Sequence, residues 1–156
     1  MDEKLLRLAD EKIEQMRHYN EITSRMIYEG VDGMGELIDR RQEIITAMDG
    51  ISVEMRCYVN EQSIDRRETI TKVLGSEEIS GLTDELIDLQ NKIRTIKKLR
   101  DEINSKDKKA RERIKKLRDE AYEELIRSAK SKQTIDYISP NTQGNLTNGV
   151  KFNITN

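Results

Sequence analysis

From Leu5 to Ile27 the apolar residues fall at Leu5, Leu6, Ala9, Ile13, Met16, Tyr19, Ile22, Met26 and Ile27. Most are three or four apart, which gathers them on one stripe of an α-helix and predicts a first helix over about 2–29. Gly30, Gly33 and Gly35 follow within six positions. Each costs about 1 kcal/mol against alanine in a helix interior, so a turn is expected at about 30–35. The next set is Met34, Leu37, Ile44, Met48, Ile51, Met55 and Tyr58, a 3,4 alternation in which Arg41 takes the one missing place. Ile38, Ile45 and Val59 widen that seam. A widened seam suits a bundle of three or more helices better than a two-stranded coil. The periodicity loosens between Asn60 and Leu74, where Ile64, Ile70, Val73 and Leu74 either continue the helix or restart it after a kink, so helix is expected over about 35–74, ending at Gly75-Ser76.

Ser80 or Thr83 offers an N-cap for a third helix, with Asp84 and Glu85 in the first turn where the helix dipole favours them. A heptad then runs through Leu82, Leu89, Ile96, Ile103, Ala110 and Leu117 at one position and Leu86, Ile93, Arg100, Asp107, Ile114 and Ala121 at the other. As one straight helix, residues 82–129 would span about 72 Å at 1.5 Å per residue. Arg100 and Asp107 put charges on the seam to either side of Asn104-Ser105-Lys106. A bend or hairpin would therefore be cheapest near 104–108, and periodicity leaves the straight and folded-back forms open. After Ser128 the helical pattern ends, Ile135 to Pro140 reads as extended, and residues 130–156 hold too little apolar surface to fold alone. Val150, Phe152 and Ile154 alternate as in a short strand. The predicted fold is all-α: an antiparallel helical bundle or coiled-coil hairpin of three to four long helices over 1–129, followed by a polar tail.

Composition narrows the function. With 35% hydrophobic and 4% aromatic residues, one Pro and no Trp, the chain lacks material for a thick core or a deep ligand pocket. A compact enzyme is not expected. No run approaches the roughly 18 consecutive apolar residues of a membrane span. Met1-Asp2-Glu3-Lys4 lacks the basic flank of a secretory signal, so a cytoplasmic location is expected. A single cysteine, Cys57, makes no intramolecular disulfide, and the sequons at Asn145 and Asn153 carry no meaning in a cytoplasmic chain.

The net charge of −2 hides an asymmetry. Residues 1–91 hold 11 basic and 21 acidic side chains, residues 92–118 hold 13 and 4, and residues 119–156 hold 4 and 5. The three segments thus carry −10, +9 and −1. A basic stretch of this density suits a phosphate-binding arm or a helix lying along an acidic partner. The second is favoured, because the acidic partner lies in the same chain and no aromatic residue interrupts the run to stack on bases.

Groups that converge for chemistry are scarce. His18 has no Cys or second His at i+3 or i+4 to share a metal, and Cys57, between Arg56 and Tyr58, has no catalytic partner nearby in sequence. Gly30 to Gly35 lacks the preceding strand and the Lys-Ser/Thr of a phosphate loop. Acidic residues sit where (i, i+4) pairs such as Glu36 with Arg40 decorate solvated faces. No catalytic, cofactor-binding or metal residue is expected. Met16, Met26, Met34, Met48 and Met55 lie on the first two seams. Methionine repacks readily, so any apolar surface left over would form a groove for an amphipathic helix of another protein.

The stretch Glu36-Leu37-Ile38-Asp39-Arg40-Arg41-Gln42-Glu43-Ile44-Ile45-Thr46-Ala47-Met48-Asp49-Gly50-Ile51 resembles the second helix of flagellar export chaperones of the FlgN and FliT type. The charged later helix, Ile93 to Ile126, and a tyrosine before a glycine in the tail, Tyr137 and Gly144, add to the resemblance. It implies a chaperone that holds an amphipathic terminal helix of a hook-associated or filament-cap subunit and brings it to the export apparatus, without cofactor or turnover. It also implies client contacts at Ile103, Ile114, Leu117 and Ala121, and an export-gate contact at Tyr122 or Tyr137. The denser basic run and the Asn-rich end depart from that pattern. Two other expectations stand beside it: a structural coiled coil that self-associates through the 82–121 seam, and a nucleic-acid-binding protein using 92–118.

Overall fold

The computed structural model describes the backbone of residues 2–138 and the side chains of residues 2–132. Gly144, the two sequons and the alternation at 150–154 lie outside the described residues. Four helices follow one another: α1 Glu3–Met26, α2 Val31–Asn60, α3 Ile64–Leu74 and α4 Asp84–Ile138. The described residues form an all-α helical bundle with no strand. The chain divides into two compact units, Met1–Arg113 and Ile114–Asn156.

In the first unit, polar contacts fix the directions of the helices. Asp10 pairs with Lys92, Asn20 with Glu102 and Lys106, and Ser24 with Lys106, so α1 and α4 run parallel. Asp2 meets Tyr58, Lys12 meets Ser52 and Tyr19 meets Arg41, the reverse order expected of antiparallel α1 and α2. The core joins Leu5, Leu8, Ala9, Ile13 and Met16 of α1 to Met55 and Val59 of α2, Ile70 and Val73 of α3, and Leu86, Leu89, Ile93, Ile96 and Ile103 of α4. Each fully buried Leu or Ile contributes about 1.5–3 kcal/mol relative to exposure. Leu8, which stands outside the predicted stripe, is buried, whereas Leu6 is only partly so.

Two predicted boundaries move. The turn after α1 occupies Ile27 to Gly30, and Gly33 and Gly35 lie within the first two turns of α2. Burial of Met34 and Leu37 between and beside them outweighs their weak helix propensity. The predicted helix 35–74 is instead two helices, broken at Glu61 to Ser63. Arg67 explains how the break is tolerated: its guanidinium donates to the carbonyls of Asn60 and Gln62, capping an α2 end that has no basic residue of its own. The break carries α3 across the start of α1, where Arg66 donates to Asp2 at 2.8 Å.

That Asp2 carboxylate is 1% exposed and also accepts from the Tyr58 hydroxyl at 3.1 Å, while the Asp2 backbone N–H donates to Glu85 at 3.3 Å. One residue before α1 thus holds the ends of all four helices together. The half-buried Tyr58 phenol has its pKa raised by desolvation and by the neighbouring Asp2 carboxylate, and Arg66 is raised by its hydrogen bond to Asp2.

Helix α3 ends in a Schellman motif: Glu77 N–H donates to the Lys72 carbonyl, Ser76 N–H to that of Val73, and Ser76 takes φ 61°. Thr83 caps α4, its hydroxyl accepting from Leu86 N–H at 3.4 Å. Residues 104–108 are continuous helix, so the chain makes no hairpin there. In the second unit, Ile114 is half-buried, Leu117 is buried and residues 118–132 are exposed. The helix there continues to Ile138, beyond its predicted end at about 129, and Ile135 to Ile138 is helical rather than extended. The local run from Ala121 to Lys132 contains no Gly or Pro, and its good helix formers carry the helix past the point where the heptad fades.

A serine in the left-handed region costs about 1 kcal/mol against glycine. Ser76→Gly is expected to stabilise the protein by roughly that amount, and Gly50→Ala, on an open face of α2, by about the same. Urea unfolding followed by circular dichroism measures both; a loss of stability in Ser76→Gly would contradict the motif.

Candidate binding groove

Between α2, α3 and α4 of the first unit lies a groove of about 650 Å³. Its apolar lining comes from Met55, Val59, Leu74, Ile93 and Ile96, side chains that belong to the core or pack against it. Around them stand Lys12, Arg56, Arg67, Lys97 and Arg100, with Asp101 as the one acidic lining residue. Five cations against one carboxylate make a basic rim over an apolar floor.

The local fold explains each placement. Met55 and Val59 are four apart on α2, and Ile93 and Ile96 three apart on α4, so each pair presents one face to the space between the helices. The α2–α3 break folds the short helix back, bringing Thr71, Leu74 and Arg67 to the same opening. Arg67 is engaged by the α2 cap, whereas Arg56, Lys97 and Arg100 form no ion pair among the described residues. Lys12 enters from α1 and donates to the Ser52 hydroxyl at 2.9 Å, which in turn donates to the Met48 carbonyl. Burial first, and then the Arg100 charge, push the Lys12 pKa down, while Asp49 acts in the opposite direction. A cation held where burial and a like charge both oppose it is the kind of perturbed group that gathers at functional sites.

Three residues of the basic segment are turned inward. Lys92 pairs with Asp10 at 2.6 Å, Lys106 donates to Asn20 and Ser24, and Arg113 donates to the Glu29 carbonyl at 2.9 Å. These three serve helix packing, whereas Arg94, Lys97, Lys98, Lys108, Lys109, Lys115 and Lys116 stay exposed. The seam charges part company: Arg100 is exposed at the groove, whereas Asp107 is drawn inward to Arg41 at 2.7 Å.

The site residues suggested by resemblance do not gather in this groove. Ile103 is buried in the core of the first unit and offers no surface to a client. Ile114 is half-buried and Leu117 buried in the second unit, where Ala121 and Tyr122 are exposed. Tyr137 is helical, and its side chain lies outside the described residues. His18 lines a separate polar depression with Asp10, Glu14 and Glu21, and no group of three potential ligands that could hold a metal occurs among the described residues. Cys57 is free and exposed. No described helix is long and apolar enough to cross a membrane.

Sequence reasoning missed the groove because its residues come from four separate segments. Arg100 on a heptad seam was the available signal, since a charge at that position marks a place where the seam opens.

Lys12→Met is expected to raise stability near neutral pH by about 1 kcal/mol, because the depressed pKa means that the folded state disfavours the charge. The gain should vanish as pH rises past the unfolded lysine value and both states lose the proton. Urea midpoints at two pH values measure this, and a destabilised variant would contradict it. No family model, curated protein or solved structure matches the chain.

Proposed function

We propose that the protein is a non-enzymatic binding protein that holds an acidic amphipathic helix of a protein client in the groove between α2, α3 and α4. The observation that carries this is the pairing of an apolar floor, Met55, Val59, Ile93 and Ile96, with a rim of Lys12, Arg56, Lys97 and Arg100. Apolar anchors at i, i+3 and i+4 would supply affinity, and carboxylates flanking them would meet the rim and set orientation. The resemblance of residues 36–51 to export chaperones gives the client a specific form: the terminal helix of a hook-associated or filament-cap subunit, shielded before delivery to the flagellar export apparatus. Cytoplasmic action belongs to the same reading.

Fluorescence anisotropy with labelled peptides of those terminal helices tests it. Wild-type protein is expected to bind one of them at one-to-one stoichiometry. Arg56→Glu/Arg100→Glu, two exposed substitutions, should weaken binding at least tenfold with helicity unchanged. Failure of every terminal-helix peptide to bind would overturn the client assignment; binding untouched by the charge reversals would overturn the groove. Binding of a generic DNA or RNA duplex that falls steeply with salt would support the nucleic-acid reading instead.

A further inference from the structure

Lys12 reaches the groove from α1 and is half-buried there. Lys72, Lys92 and Lys116 each pair with a carboxylate, whereas Lys12 forms no ion pair among the described residues. Its Nζ donates to the Ser52 hydroxyl at 2.9 Å, and that hydroxyl gives its own proton to the Met48 carbonyl, also at 2.9 Å. Ser52 therefore offers Lys12 only lone pairs. A neutral Lys12 amine keeps this bond through one N–H, and no proton from Ser52 caps its nitrogen lone pair. The electron pair that a nucleophile needs is left for the groove.

The charged groups that line the groove with Lys12 or act on it are Asp49 and Arg56 of α2, Arg67 of α3, and Lys97, Arg100 and Asp101 of α4. Burial and the Arg100 charge favour the neutral amine, Asp49 opposes them, and the balance lowers the pKa. A desolvated lysine beside another cation is the arrangement that activates an amine for attack. The same cations select what it meets. Arg56 and Arg100 are unpaired forks suited to phosphate oxygens, and the apolar floor beside them accepts a short acyl chain. An electrophile whose leaving group is a phosphate fits both halves of the site.

We propose that Lys12 is a modification site, acylated at Nζ by small acyl phosphates gathered by the cations of the groove rim. The nitrogen lone pair attacks the acyl carbon and a C–N bond forms. The bond from that carbon to the phosphate oxygen breaks, and its electron pair leaves on the phosphate. The two protons that the ammonium gives up pass to the phosphate, so lysine and acyl phosphate become an amide and dihydrogen phosphate without a change of oxidation state. The amide is uncharged, which relieves the burial that opposes the ammonium and removes one cation from the rim.

Incubation of the full chain with acetyl phosphate near neutral pH, with acetylation at each lysine followed by peptide mass spectrometry, tests this. Lys97 is the comparison for the amine, because it is exposed on the same rim. Lys12 is expected to react about fivefold faster than Lys97 or more, with a rate that levels off at lower pH than the rates of exposed lysines. Unfolding in urea should erase the preference, since every lysine then stands in water. Arg100→Gln, at an exposed position, should cut the Lys12 rate several-fold with helicity unchanged. Relative to Lys132, exposed in the second unit, the preference for Lys12 should shrink when a neutral acyl ester replaces acetyl phosphate. Lys12 reacting no faster than Lys97, or with the same preference in the unfolded chain, would overturn the site. A rate untouched by Arg100→Gln, or a preference over Lys132 undiminished with the neutral ester, would overturn recruitment by the rim. The assay contains no peptide client, so its result stands apart from the success or failure of the proposed function.

Discussion

The first unit depends on one pairing of charges that would each be a fault alone. Arg41 interrupts the apolar seam of α2, and Asp107 interrupts that of α4. In the folded protein the guanidinium meets the carboxylate at 2.7 Å, with the two side chains 14% and 17% exposed. The same guanidinium donates to the Tyr19 hydroxyl, lies 4.5 Å from that ring's centre and contacts the Met26 sulfur at 3.4 Å. Burial opposes the Arg41 charge, but hydrogen bonds to Tyr19 and Asp107 outweigh it and leave the pKa raised. Arg111 holds the other carboxylate oxygen at 2.7 Å. Three helices are therefore pinned at one register, and α4 continues unbroken through the region where its seam is weakest.

This pairing also inverts the charge pattern of the chain. Arg41 is a base in the acidic first segment, and Asp107 is an acid in the basic one. A one-turn slip of α4 would leave both charges facing apolar side chains, which costs several kcal/mol. The remaining asymmetry is divided: Lys92, Lys106 and Arg113 are spent on packing, and Lys12, Arg56, Lys97 and Arg100 collect around the groove. The basic segment thus supplies packing contacts at one helix face and, with Lys12 and Arg56, the groove rim at another.

Much of the fold is legible in the sequence because it rests on periodicity. At one heptad position Leu82 is half-buried, and Leu89, Ile96, Ile103, Ala110 and Leu117 are buried. The companion position fades where Arg100 and Ala121 turn to solvent, which the residue types announce. The loosened periodicity after Asn60 left continuation and a restart after a kink both open, because Arg67, which caps the break, lies beyond it, and the glycines at 33 and 35 misled because propensity yields to burial. The groove was less legible still: its lining joins segments up to 89 residues apart, from Lys12 to Asp101, and one-dimensional spacing carries no such juxtaposition. The client contacts suggested by resemblance followed the α4 seam, and at Ile103 that seam is the protein's own core.

A double-mutant cycle on Arg41 and Asp107 tests most directly whether the two seam charges support one another. Arg41→Met and Asp107→Leu are each expected to destabilise by about 1–3 kcal/mol, since Asp107 would keep only Arg111 and Arg41 only Tyr19 as a partner in a half-buried place. The double variant should be less destabilised than the sum by at least about 1.5 kcal/mol, because two apolar residues repack the seam. Additive losses in urea unfolding, or single variants within about 0.5 kcal/mol of wild type, would contradict the pairing on which the register of the bundle rests.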